Sequence, residues 1–281
     1  MALEQAVHFA TGFPVGNAPC MVRSNRQIND RYWHLVLDAP APLYYAAPGQ
    51  FFHLLCPPAL GSDPYLRRPM SVYRVSAEER VIEFLYNVVG MGTRALSRVK
   101  PGDMMSALGP LGVGFTLKPS YRHILMVARG VGLATMAAVV PWAARRRIRL
   151  TAVLSARSPW DLMEREFTQH ESMTVHPVFD QDGSSAVERV EALLEKIVAE
   201  DRPDICFTCG SNRLMKALQK VGAAHGIPGE IALEQQMACA LGVCLSCVRP
   251  IQEGGQTVHK RVCCDGPVFD LQQVHGTWVH G

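Results

Sequence analysis

Five of the nine cysteines in this 281-residue chain crowd between positions 239 and 264. The run Gln-Met-Ala-Cys-Ala-Leu-Gly-Val-Cys-Leu-Ser-Cys sets Cys239, Cys244 and Cys247 in C-x4-C-x2-C spacing, with a further cysteine at Cys263 or Cys264. Thiolates in that order are the ligands of a plant-type [2Fe-2S] cluster. The loop between the first two ligands must wrap one edge of the cluster, and small residues such as Ala240 and Gly242 let backbone amides approach the sulfurs and tune the reduction potential. Structural zinc is the competing chemistry, but it usually takes two C-x2-C pairs, whereas here only Cys244 and Cys247 form one. Cys206 and Cys209 repeat the short spacing within a β-like run, where residues three apart face opposite ways, so they read as buried strand positions. Cys20 and Cys56 stand alone in apolar runs and read as small core residues.

Four segments could hold anions or a flat ring. Tyr-Leu-Arg-Arg-Pro-Met-Ser-Val at 65–72 offers the planar guanidinium of Arg68 to a diphosphate, and Pro69 fixes the backbone that presents Ser71. Val-Gly-Met-Gly-Thr at 89–93 precedes a helical pattern and supplies backbone amides. Leu-Gly-Pro-Leu-Gly-Val-Gly-Phe at 108–115 marks a change of texture along the chain. Ala-Arg-Gly-Val-Gly-Leu-Ala at 128–134 lies between a strand and a helix, where Gly130 and Gly132 would admit a pyrophosphate or serve tight packing. The basic run Arg-Arg-Arg-Ile-Arg at 145–149 closes a helix and reads as a solvated end rather than a phosphate site.

These segments need elements to hold them. Between about Cys20 and Phe115 short apolar runs with partial alternation, at 31–38, 50–56 and 80–89, are separated by Pro and Gly, which predicts an antiparallel β-barrel. From Arg122 onward, β-like runs at 123–128, 149–155, 173–178 and 204–209 alternate with helical patterns at Leu133–Arg145, Trp160–Gln169, Ser185–Glu200 and Asn212–Ala224. That alternation predicts βαβ units and a parallel sheet that binds a nucleotide. After Ile227-Pro228-Gly229 the composition shifts to a cysteine-rich tail too small for a good core of its own, so a cluster would serve as its core. The expected fold is therefore a multi-domain α+β protein with boundaries at 1–117, 118–228 and 229–281.

Composition narrows the function further. The chain carries 28 Lys+Arg against 25 Asp+Glu, a balance without the basic footprint that nucleic-acid binding requires. The apolar stretch from Ile124 to Ala144 is broken by Arg129, Pro141 and two glycines, which does not suit a membrane span. The N-terminal stretch has no basic region before its apolar residues, so a cytoplasmic protein is expected.

Taken in order, the motifs resemble the ferredoxin reductase superfamily, and within it the electron-transfer subunits of class 1B dihydroorotate dehydrogenases. The likeness rests on Leu-Arg-Arg-Pro-Met-Ser at 66–71, Gly-Met-Gly-Thr at 90–93 with Leu96 and Ser97, Gly-Pro-Leu-Gly at 109–112, Glu-Gln-Gln-Met-Ala-Cys at 234–239 and Arg-Val-Cys-Cys-Asp-Gly-Pro-Val-Phe at 261–269. It implies FAD on the barrel, along Arg68, Pro69, Met70 and Ser71, with Gly92 and Thr93 on its diphosphate. It implies an NAD(P)H site at Gly130, Gly132, Cys209 and Gly210, and it selects Cys263 as the fourth cluster ligand after Cys239, Cys244 and Cys247. The implied partner is an FMN-containing dihydroorotate dehydrogenase catalytic subunit in a heterotetramer. Three departures stand out: Ala128-Arg129-Gly130 replaces a run of glycines, so that Arg129 would either obstruct the pyrophosphate or bind it; Ala240 follows the first ligand where Gly is common; and Ser211 replaces a usual Pro. The competing readings are a reductase component for an oxygenase, which would need a longer tail, and a non-redox zinc-binding interaction module.

Overall fold

The computed structural model describes residues 15–58, 66–162 and 173–276. In its first half the apolar alternation becomes β1 (Gly16–Gln27), β2 (Tyr32–Asp38), β3 (Phe51–Leu55), β4 (Arg68–Ser71), β5 (Arg74–Ser76), β6 (Val81–Asn87) and β7 (Met104–Leu111), with α1 (Met91–Leu96) between the last two. Alternate residues such as Leu35 and Leu37, Phe52 and Leu54, and Ile82 and Phe84 turn to one side and form a single buried core. The hydrogen-bonded order β4-β3-β7-β1-β2-β6-β5 leaves β4 and β5 as edges. The expected antiparallel barrel takes the form of a half-barrel, whose two edge strands are only four and three residues long and in which Pro69 has no N–H to extend the ladder.

The second half holds a sheet ordered β10 (Met173–Phe179), β9 (Arg149–Ala156), β8 (His123–Arg129), β11 (Ile205–Cys209), β12 (Gly229–Ala232) and β15 (Val268–Asp270). The first five strands are parallel and β15 pairs antiparallel with β12. Chain order runs outward in both directions from β8 and β11, which makes the carboxyl ends of these two strands the switch point where ligands bind in such sheets. The helix expected over 133–145 divides into α2 (Gly132–Ala137) and α3 (Val139–Ala144). Pro141 has no N–H to give the carbonyl of residue 137, so the ladder cannot run through. α4 (Val187–Glu200) and α5 (Asn212–His225) cover the opposite face. Ser211 caps α5 by accepting from Leu214 N at 3.4 Å, which gives the departure from proline a local purpose. The pattern expected over 160–169 begins in a 3-10 turn at Pro159–Asp161 and otherwise lies outside the described residues.

The cysteine-rich segment leaves the sheet after β12, forms the hairpin β13 (Val248–Glu253) and β14 (Gln256–Arg261), and returns as β15. The expected division after residue 228 therefore falls inside the parallel sheet, because Gly229–Ala232 pairs along β11. Nor does the segment rely on a cluster alone for a core: Cys247, Ile251, Val262, Cys263, Phe269 and Leu271 share one buried cluster with α4, α5 and β11. Among the described residues no helix is long and apolar enough to cross a membrane.

Candidate flavin cleft and cysteine centre

A cleft of about 530 Å³ opens between the half-barrel and the parallel sheet. Its walls come from Phe51, from all four residues of β4 (Arg68, Pro69, Met70 and Ser71), from Leu85, Tyr86, Asn87, Val89 and Thr93, from Val131, Ala134 and Thr135, and from Leu233, Glu234, Gln235, Met237 and Pro267. Apolar surfaces thus face one another across the slot while Arg68, Ser71, Thr93, Thr135 and Glu234 supply a few polar groups, the composition expected for a flat cofactor with a charged tail.

Neighbouring arginines have separate tasks. Arg67 stitches the half-barrel, donating to the His53 and Ser106 carbonyls at 3.0 and 3.1 Å, to Ser106 Oγ at 2.8 Å and to Asn17 Oδ1 at 3.2 Å. Arg68 turns instead to the cleft, where it touches the Leu66 carbonyl and lies over Gly92, so closely that a Cβ at residue 92 would strike the guanidinium. Glycine at 92 is what lets β4 and α1 build one cationic corner. Thr93 Oγ1 holds the turn before α1 by accepting from the amides of Val89 and Gly90, each at 3.0 Å. The Gly-Pro-Leu-Gly segment docks rather than merely links: Val113 N donates to Gly266 O at 2.6 Å, and a Cβ at Gly112 would lie 2.6 Å from both Gly266 O and Pro267 Cδ. This contact brings Pro267 of the Asp-Gly-Pro-Val-Phe run into the cleft.

Gly130, Gly132, Cys209 and Gly210 come together at the carboxyl ends of β8 and β11, where Cys209 pairs with Ala128. Gly130 adopts φ +56° and Gly210 φ +90°. A Cβ at Gly132 would lie 2.7 Å from the Cys209 carbonyl, and one at Gly210 would collide with the Arg129 carbonyl, so these glycines permit close approach of the two strand ends. Arg129 points away from them. Its guanidinium donates to Ser155 Oγ at 2.7 Å and to Asp180 at 3.1 and 2.5 Å. This pairing holds the Asp180 carboxyl far below the ordinary carboxylate range, with Ser185 and Arg213 adding to it. Arg129 is accordingly paired with Asp180 rather than turned toward the glycines.

Cys206 and Cys209 lie in separate cores on the two sheet faces, as their spacing predicts. Cys209 Sγ is 3.7 Å from Thr135 Oγ1 and 3.9 Å from Glu234 Oε1. Burial, aided by the Glu234 carboxyl, pushes its thiol well above the usual range. Glu234 has surface exposed at the cleft mouth, while the protein packed around its carboxyl pushes it upward. Glu234, Gln235 and Met237 are cleft residues that spacing alone does not reveal; their only signal is membership of the Glu-Gln-Gln-Met-Ala-Cys run.

The cysteines fall into two pairs. The amides of Leu241 and Cys244 point at Cys239 Sγ, at 3.4 and 3.5 Å. Deeper, the base of the β13–β14 hairpin joins Cys247 to the turn carrying Cys263, through Val262 N donating to Cys247 O at 3.1 Å. The Cys247 thiol and the Gly242 backbone both lie close enough to the Cys263 thiol to favour its charged form. Ala240, Gly242 and Leu245 all have positive φ, at 56°, 76° and 60°, which curls the loop so that its amides face the sulfurs. Ala240 therefore takes a conformation that suits glycine better, the physical sense of that departure. Among the described residues no three His, Cys, Asp or Glu side chains converge as ligands of a single metal ion. An all-cysteine donor set with inward-pointing amides fits a [2Fe-2S] cluster, in which each iron takes two thiolates.

Comparison with known proteins agrees with this construction. Residues 234–275 match the model of the iron-sulfur cluster binding domain of dihydroorotate dehydrogenase B. The structure of NADH-dependent reduced ferredoxin-NADP oxidoreductase, described in a study of flavin-based electron bifurcation, superposes with a TM-score of 0.78 at 27% identity, covering 92% of this chain and 91% of that one. A ferredoxin reductase in carbazole 1,9a-dioxygenase shares the fold at a TM-score of 0.63 and 18% identity, over 77% of this chain and 68% of that one. Fold and site thus define a ferredoxin-reductase-like electron-transfer oxidoreductase. The electron transfer subunit of dihydroorotate dehydrogenase B (NAD(+)) from Desulforamulus reducens is 36% identical over 244 residues, 86% of this chain and 92% of the relative, and that from Bacillus caldolyticus is 30% identical over 263 residues, 92% and 99%. The chain belongs to the family of dihydroorotate dehydrogenase B electron transfer subunits.

Proposed function

We propose that this chain binds FAD in the cleft and a [2Fe-2S] cluster at Cys239, Cys244, Cys247 and Cys263, and passes electrons between a nicotinamide nucleotide and a dihydroorotate dehydrogenase catalytic subunit in the cytoplasm. One observation carries the reading: Glu234, Gln235 and Met237 form a wall of the cleft and lead within two residues into Cys239, so the two sites share a segment of chain. Together the two groups supply a converter between the two-electron chemistry of nicotinamide and the one-electron chemistry of a cluster.

The residues divide the work. Arg68 binds the diphosphate over the bare face of Gly92, with Thr93 ordering the turn beside it. Pro69, Met70 and Ser71 line the ring, and Phe51, Leu233 and Pro267 exclude water from it. Gly130, Gly132 and Gly210 keep the strand ends open to a nucleotide, with Cys209 and Glu234 beside one another at that opening. The proposed layout assigns 1–117 to flavin, the sheet through Ala232 with its returning strand to the nucleotide, and the excursion between them to the cluster. The catalytic subunit, FMN-containing and joined in a heterotetramer, would set the substrate.

Rapid anaerobic mixing with NADH tests this assignment. The flavin absorption is expected to bleach first and the cluster absorption to follow. Cluster reduction in flavin-depleted protein at the same rate would contradict the order of transfer.

A further inference from the structure

Cys264 is not needed as a ligand, yet its sulfur stands 3.6 Å from that of Cys263. The contact is built in by the backbone. The turn that carries both residues is closed by Cys264 N and Asp265 N donating to Arg261 O, at 3.1 and 2.8 Å, and Arg261 and Asp265 lock it with two side-chain bonds of 3.0 Å. On the other side, a Cβ at Gly242 would lie 2.8 Å from Cys264 Sγ, so only glycine at the ligand-loop apex leaves room for that sulfur.

We propose that Cys264 donates an S–H hydrogen bond to the cluster-bound sulfur of Cys263 and thereby raises the reduction potential of the cluster. The inference rests on the cluster assignment above. A thiol gives up its proton to bind iron, so of the two facing sulfurs only Cys264 can be the donor. Taking an electron adds negative charge that spreads onto the ligand sulfurs, and a donor aimed at one of them stabilises the reduced form more than the oxidised one. Cys264 is thus a positioning residue for electron acceptance, placed on the buried pair of ligands rather than the exposed one.

The test is a potentiometric titration of the anaerobic holoprotein, followed by visible absorption and by electron paramagnetic resonance of the reduced form, with iron content measured alongside. Cys264→Ala is expected to keep its iron and to shift the cluster's equilibrium with a reference dye about tenfold toward the oxidised form, equivalent to about 59 mV for one electron. Cys264→Ser, which retains a donor, is expected to keep most of the wild-type potential. An unchanged potential in Cys264→Ala would overturn the proposal. So would loss of iron in Cys264→Ala with retention in Cys263→Ala, since Cys264 would then be the ligand. Wild-type protein without iron would instead overturn the cluster assignment itself.

Discussion

Cys244→Ser is expected to remove the cluster and leave the flavin. Cys244 is the most exposed of the four proposed ligands, and its Sγ lies 3.2 Å from Ser246 Oγ. That hydroxyl, with the Cys239 contact, draws the Cys244 thiol down to about 6, so the isolated sulfur is poised to be a thiolate. A serine hydroxyl stays protonated and is a far poorer iron ligand, so iron per chain should fall to about a tenth or less, beyond the loss caused by weakening an outer contact. The side chain supports no core, unlike Cys247 and Cys263, so the fold and the cleft should persist. Iron assay and visible spectra check this: loss of iron with an unaltered flavin spectrum is the expected result, and equal loss of both from a protein that still melts cooperatively would refute the division into two sites.

Arg68→Ala is expected to do the reverse. Among the described residues the guanidinium's hydrogen bonds go to the neighbouring Leu66 and Arg67 carbonyls and bridge no strands, whereas Arg67 ties β1, β3 and β7 together. Truncating Arg68 therefore costs little fold stability but removes charge-assisted bonds to the diphosphate. Bonds of that kind contribute about 1.5–3 kcal/mol, so FAD affinity should weaken about 10- to 100-fold. Titrating flavin-stripped protein with FAD measures this directly, while iron and sulfide should stay at wild-type levels. Unchanged FAD affinity would place the diphosphate elsewhere.

Much of this arrangement is legible in the residues because local pattern and global fold agree. Alternation of Leu35 and Leu37 or Ile82 and Phe84 announces strands whose inner faces form one core. The cysteine spacing announces its chemistry because the ligand loop is local in sequence. What escapes notice depends on distance or brevity. Arg129 reads as either obstructing or binding a pyrophosphate, and its partner Asp180, 51 residues away, is invisible to local pattern. Two adjacent arginines look alike until their strand partners differ. β12 is only four residues long and begins on the glycine of Pro228-Gly229, too short to show a period, so the sheet's true limit is hidden. The place of Glu234 in the cleft depends on β12 delivering it opposite Cys209, which no run of neighbours encodes.

The proposed proximity of flavin and cluster sites would make the chain a conduit, and stoichiometry reads it most directly. Protein purified without air should contain two irons, two acid-labile sulfides and one FAD per chain. Zinc in place of iron, or iron without sulfide, would contradict the account at its centre.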